Sequence, residues 1–249
     1  MSTRLFPVAA GAALAATLAF LSLPVLSILL DSSPSDLAGA LGEDATLDAL
    51  RLSLQTSTAA LLVIVVLGTP AAWLLATRRF RGRALAVTLV ELPLVLPPAV
   101  AGIGLLAAFG PQGILGPALA EAGVALVFET AGVVVALAFV ASPFYVRQAQ
   151  AAFEGLDPSL IDASRTLGAG EARTFARVAV PAVAPALAAG AALAWGRAVG
   201  EFGATLMFAG SFRGVTQTAP LAIFERFGSD FRGAIAPRKS DPKRSKIAS

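Results

Sequence analysis

Apolar residues fall along this chain in long blocks separated by short charged stretches, and the blocks match the thickness of a lipid bilayer. A helix needs about 20 mostly apolar residues to cross ~30 Å of hydrocarbon at ~1.5 Å per residue. Leu5 to Leu30 meets that length, with Arg4 before it and Asp31 after it. The apolar part of a cleaved leader would be only about 7–15 residues, so a retained spanning helix is expected. Further runs extend from about Leu47 to Thr77, Ala84 to Phe109, Ala131 to Val146, and Val178 to about Ala209. Pro111 to Phe128 is apolar but interrupted by glycines, Pro117 and Glu121, and reads as a surface or re-entrant segment.

Composition agrees with this pattern. Hydrophobic residues make up 56% of the chain and charged residues 14%, well below the ~25% charged of soluble domains. Too little polar surface remains to cover a water-soluble core, so the expected fold is an all-α, polytopic transmembrane bundle of about five spanning helices.

Arginine placement orients it. Arg78, Arg79, Arg81 and Arg83 lie between the second and third runs, and Arg147, Arg165, Arg173 and Arg177 between the fourth and fifth. The alternate connections carry Asp31, Asp36, Glu43, Asp44 and Asp48, then Glu121 and Glu129. Basic loops stay in the cytoplasm, so a cytoplasmic amino terminus is expected in a bacterial inner membrane.

Several chemistries drop out. With no His and no Cys, there is no zinc site, thiol nucleophile or Ser/His pair. The first lysine is Lys239, so no phosphate-cradling P-loop lies upstream. No resident metal or cofactor is expected, and any ATP would be bound by another subunit. The pI of about 9.9 reflects Arg238, Lys239, Lys243, Arg244 and Lys246 in the tail. A nucleic-acid surface would need a basic face on a folded domain.

One connection is unlike the rest. Leu156 to Pro181 is polar and mixed in charge but carries helix signals. Asp157 can cap a helix that starts at Pro158 and runs to about Leu167. Gly168 then allows a sharp turn into a second short helix from about Gly170 to Val178. Leu160, Ile161 and Leu167 give the first helix an apolar face that the loop cannot bury alone. A solvated connector would need neither that face nor the cap, so a docking surface for a soluble partner is the stronger reading.

Asp162-Ala163-Ser164, three residues, Gly168, nine residues, then Val178-Ala179-Val180-Pro181 resembles the coupling loop of ABC importer permeases. That pattern reads Glu-Ala-Ala, three residues, Gly, nine residues, Ile, any residue, Leu-Pro. The spacing matches throughout, although Asp162, Ser164, Val178 and Val180 differ from the pattern. Pro93-Leu94-Val95-Leu96-Pro97-Pro98 and Gly196-Arg197-Ala198-Val199-Gly200-Glu201-Phe202-Gly203-Ala204-Thr205 resemble stretches of the molybdate and sulfate permeases. Leu206 to Gly210 and Thr216 to Ile223 are more similar to the molybdate branch. The resemblance, over about Leu47 to Phe227, implies a type I ABC importer fold. It also implies two permease copies, two ATP-binding subunits seated on Asp162, Ala163, Ser164, Gly168 and Pro181, and an extracytoplasmic oxyanion-binding protein. Sulfate and tungstate are the alternative cargoes.

Polar and kinked positions at membrane depth need reasons. Arg197 and Glu201 are one turn apart and can pair, either as a structural ion pair or as part of a gate. Glu91 has no basic residue within a turn, so it must pair with another helix or stay protonated, and it suits packing better than an anion path. Pro93, Pro97 and Pro98 must bend or break the third helix, which favours cavity lining. Ala188, Ala192, Gly196 and Gly200 form a small-residue seam suited to close helix packing. Pro97, Pro98, Arg197, Glu201, Gly203 and Thr205 are the pathway or gate candidates.

The expected divisions are 1–46 as a first helix and acidic external loop, 47–228 as permease core with its coupling loop at 157–181, and 229–249 as a basic tail. The resemblance implies one more apolar helix after about Phe227, where none is readable. The tail then ends on the outer side of a five-span chain, against the charge rule. A truncated, non-functional permease is therefore one alternative. A stand-alone secondary transporter is another, but the inverted repeat it would want is not evident.

Overall fold

The computed structural model describes residues 5–31 and 43–229, which are helices and connections with no strand among the described residues. The basic tail and the acidic stretch from Pro34 to Ser35 and beyond to Leu41 lie outside the described residues. The chain divides into two compact units, one of residues 1–47 and 222–249, the other Asp48–Leu221.

In the smaller unit, α1 (Leu5–Asp31) is one continuous helix that carries Pro24. It has the length and apolarity to cross a membrane and buries none of its core window in the protein. Lipid is the solvent that suits such a surface. Arg226 and Glu43 form an ion pair in this unit.

The larger unit is built on α2 (Asp44–Thr77) and α6 (Thr130–Glu154), both long enough to span. Between them come α3 (Arg83–Val95), α4 (Pro98–Phe109) and the short α5 (Gly116–Glu121). After α6 follow α7 (Pro158–Thr166), α8 (Glu171–Thr174), a π-helical turn over Phe175–Ala179, α9 (Val180–Ala182), α10 (Ala184–Val199), α11 (Gly203–Ala209) and α12 (Ala219–Ser229). Gly116–Glu121 is indeed too short to cross, as the interrupted apolar stretch implied.

The third apolar run is two helices, broken at Leu96 and Pro97, whose backbone is extended. Pro97 and Pro98 lack the N–H that would continue the ladder. The fifth run, expected to be continuous from Val178 to about Ala209, is interrupted twice. A bend of 76° separates Glu171–Ala182 from Ala184–Val199, where Pro181 and Pro185 again remove donors. A second break falls at Gly200 to Phe202. Three helices are thus continuous spans, four if the bent pair counts as one; α3 with α4 is a further, broken crossing.

The core follows α6. One buried cluster joins Ala60, Ile64, Ala72 and Trp73 of α2 to Val133, Leu137, Ala141, Tyr145 and Phe153 of α6 and to Ala194 and Ala198 of α10. A second joins Ala101 and Leu105 of α4 to Ala136 and Val140 of α6 and Ala204 and Phe208 of α11. Lipid gives apolar helices little reason to associate, so close fit must hold them together. At Gly68 a Cβ would sit 3.0 Å from the Tyr145 ring, and the Tyr145 hydroxyl is 2.6 Å from Thr69 Oγ1 in a buried hydrogen bond.

Candidate functional site

Two places in the larger unit hold the residues singled out from the sequence. The first is the loop from Asp157 to Pro181. Asp157 caps α7 by accepting the Ser159 N–H at 2.9 Å, and Pro158 is the first helical residue. That hydrogen bond favours the ionised carboxylate, so the Asp157 pKa lies below its usual value. Gly168 has φ 79°, a left-handed conformation that glycine adopts without strain, and the chain reverses there into α8.

A buried pair locks the two short helices together: Ser164 Oγ and Thr174 Oγ1 are 2.9 Å apart. Ile161 packs against the core, whereas Leu160 and Leu167 stay exposed, Leu167 at 87%. Asp162 and Ala163 are exposed beside them. The expected face is therefore split, with one residue anchoring the loop and two left uncovered.

The loop is fastened to the bundle at two points that local spacing does not reveal. Phe175, on the π-helical turn, stacks near Trp73 of α2 and Phe153 of α6, with ring centroids 5.7 and 6.2 Å away; Trp73 and Phe153 meet edge-on at 5.3 Å. Arg78, just past α2, donates from Nη2 to both Glu171 oxygens at 2.7 Å. The guanidinium hydrogen bond and charge hold Glu171 below the usual carboxylate range, and Glu171 in turn raises Arg78.

A second ladder lies alongside. Glu91 of α3 pairs with Arg147 of α6 at 2.9 Å, so its partner is on another helix. Arg147 donates to the Gln150 side chain, Gln150 to Glu154, and Arg83 pairs with Glu154 at 2.9 Å. These groups tie α3 to α6.

The second place is where the two broken runs meet. Gly203, at the start of α11, packs on Pro98, at the start of α4; a Cβ on Gly203 would sit 2.9 Å from Pro98 Cβ. One turn on, a Cβ on Gly102 would come within 2.6 Å of the Ala204 carbonyl oxygen. The prolines and the glycine-rich stretch, distant in sequence, thus bring both interruptions to one spot. Irregular backbone at membrane depth persists where protein or a water-filled cavity covers it.

Arg197 Nη2 lies 2.6 Å from Glu201 Oε2, the one-turn pair expected. Glu201 is only 2% exposed, and its other oxygen accepts the Ala204 N–H at 2.8 Å. It therefore stitches the end of α10 to the first turn of α11. Thr205 is fully buried, and its hydroxyl has no hydrogen-bond partner. Pro97 and Pro98 are exposed. So are Ala188, Ala192, Gly196 and Gly200: the seam read as internal packing faces outward, and it is Gly190, Ala194 and Ala198 that face the core. A Cβ at Gly196 would meet nothing within 4 Å.

Comparison with known proteins follows the same geography. Residues 66–230 match the family described as "Binding-protein-dependent transport system inner membrane component". The chain is 38% identical over 216 residues to the probable transport system permease protein NifC of Clostridium pasteurianum, covering 86% of this chain and 75% of that one. It is 44% identical over 190 residues to the molybdenum transport system permease protein ModB of Mycobacterium tuberculosis, 76% of this chain and 71% of that one. The sulfate transport system permease protein CysT of Escherichia coli is 39% identical over 178 residues, 72% of this chain and 64% of that one. A chain of the bacterial alginate ABC transporter, in a crystal structure with an alginate pentasaccharide-bound periplasmic protein, shares the fold at TM-score 0.74 and 16% identity, covering 94% of this chain and 86% of that one.

Proposed function

Because the chain belongs to the family of binding-protein-dependent transport system inner membrane components, we propose that it is the membrane permease of an ATP-driven importer whose cargo is a small oxyanion, molybdate first. It is a multi-pass protein of the inner membrane and performs no chemistry on its cargo; ATP is hydrolysed by a separate subunit. The observation that carries the cargo assignment is the 44% identity to a molybdenum permease across three quarters of this chain. Sulfate is the second reading, favoured by the 39% identity to a sulfate permease.

In this reading the amino terminus is cytoplasmic, as the arginine-rich connections favour. The ATP-binding subunit seats on Asp162, Ala163, Ser164 and Gly168, with Leu160 and Leu167 supplying apolar area. Closure of the ATPase pushes α7, and the aromatic contact and the Arg78–Glu171 pair carry the displacement into α2 and α6. Pro181 marks the bend at which that displacement enters the spanning part of α10. The crossing of Pro97 and Pro98 with Gly203, together with Arg197, Glu201 and Thr205, forms the gate. Glu201 offsets much of the Arg197 charge, so the pair holds the gate's shape rather than attracting the anion. A second copy of the chain packs on the outward small-residue face of α10, and an extracytoplasmic oxyanion-binding protein delivers the cargo.

The test is uptake by vesicles containing this permease with a co-expressed ATPase subunit, supplied in turn with molybdate- and sulfate-binding proteins. ATP-dependent molybdate accumulation with the former is expected. Sulfate accumulation alone would favour the second reading. A permease that neither binds an ATPase subunit nor changes its turnover would sink the importer reading.

A further inference from the structure

The turn between α2 and α3 holds four arginines within six residues, Arg78, Arg79, Arg81 and Arg83, and the structure divides them by task. Arg78 is held by Glu171. Arg83 is held by Glu154 and also donates from Nε to the Leu75 carbonyl at 2.8 Å. Arg79 and Arg81 are exposed, and no ion pair or hydrogen bond reaches their side chains among the described residues. Between them Phe80 is 41% exposed. The turn is short and closed, with the Arg83 N–H donating to the Phe80 carbonyl at 3.2 Å and Gly82 in the left-handed region.

Its position decides what can meet those two cations. Leu74 of α2 and Leu85 and Leu89 of α3 are about half exposed or more, and they belong to apolar helices that end or begin at this turn. On the reading of the chain as a membrane permease, those leucines face acyl chains. Arg79 and Arg81 then stand at the depth of the headgroups, with Phe80 as an aromatic interfacial anchor. A soluble partner is offered a different surface, the exposed tip of α7.

We infer that Arg79, Phe80 and Arg81 form a seat for an anionic phospholipid headgroup. The guanidiniums bind the phosphate and the ring enters the upper acyl region. Planar guanidinium suits phosphate oxygens, and juxtamembrane cations attract anionic lipid. Because Arg78 and Arg83 are tied to the coupling loop and to α6, a lipid held between them adjoins both fastenings.

The test uses the full-length protein in nanodiscs of phosphatidylcholine doped with spin-labelled phosphatidylglycerol or spin-labelled phosphatidylcholine, reading the motionally restricted lipid. The wild type is expected to select the glycerol lipid, and R79Q/R81Q to lose that selectivity, at about fivefold for each arginine. R79K/R81K should keep most of it, and R213Q, on another connection, should leave it unchanged. Equal selectivity in wild type and R79Q/R81Q would overturn the inference. So would displacement of the lipid by inorganic phosphate alone, which would indicate a soluble-anion site. Loss of ATPase-subunit binding in R79Q/R81Q with lipid selectivity intact would assign the turn to a protein partner and also overturn it. None of these readings uses transport, so failure of the cargo assignment would leave the lipid result standing, and the reverse.

Discussion

Glu201 shows how much one side chain can hold at membrane depth. Its two oxygens serve two elements, Arg197 on α10 and the Ala204 N–H on α11. Glu201→Ala would strand a guanidinium and an N–H together, at an expected cost of about 3 kcal/mol, since removing one partner leaves the other charge uncompensated. Thermal denaturation of the purified protein would measure it, and Glu201→Gln should recover part of the loss through the surviving hydrogen bond. Gly102→Val should be as harmful for a steric reason. The added atoms would run into the Ala204 backbone, and overpacking of this kind costs about 1–3 kcal/mol. The Arg197–Glu201 pair was legible from spacing alone. The role of Glu201 toward Ala204 was not, because nothing before the structure says that the chain breaks at Gly200 and restarts at Gly203.

Among the elements, the loop between α6 and α10 was the most legible. Asp157, Pro158 and Gly168 state its cap, its start and its turn by local chemistry, and each does what its residue type implies. Its attachments were hidden, since Trp73, Arg78, Phe153 and Phe175 come from three separate segments. The fastening leads to a pH expectation. Asp157 and Glu171 both have lowered pKa values. Their stabilisation is therefore fully present above the unfolded carboxylate values, about 3.9 and 4.3, and is lost as pH falls through the lower folded ones. Hydrogen exchange in residues 157–179 should thus be insensitive to these carboxylates from pH 8 to about 5 and rise only in stronger acid. Glu171→Gln should instead loosen α8 at neutral pH. In the assembled importer it should raise ATP turnover relative to uptake, and an unchanged ratio would exclude the pair from coupling.

For the whole molecule, the apolar blocks announced a membrane bundle but not which blocks would stay whole. Prolines predicted the break in the third run. The breaks in the fifth were missed because glycine and proline there lie in an otherwise uniform apolar stretch. The small-residue seam of α10 was legible as a packing face, but its direction was not, since a sequence does not say whether its partner is the same chain or another. With Gly196 facing open space, Gly196→Leu should leave the fold of one chain intact and weaken association of two. Cross-linking in membranes, with Tm as the folding control, would check this; an unchanged cross-linked fraction would place the second copy elsewhere.

The π-helical turn over Phe175–Ala179 carries a consequence for how this segment can change. A π turn holds one residue more than an α turn, so deleting one residue would rotate everything beyond it by about 100°. Phe175 would keep its aromatic neighbours while the core-facing side of α10 swung away. Exchange of side chains leaves that phase alone. This stretch should accept new residue types at Asp162, Ser164, Val178 and Val180 far more readily than a single-codon deletion, so that what is constrained between Gly168 and Pro181 is distance along the chain more than the identity of the residues that fill it.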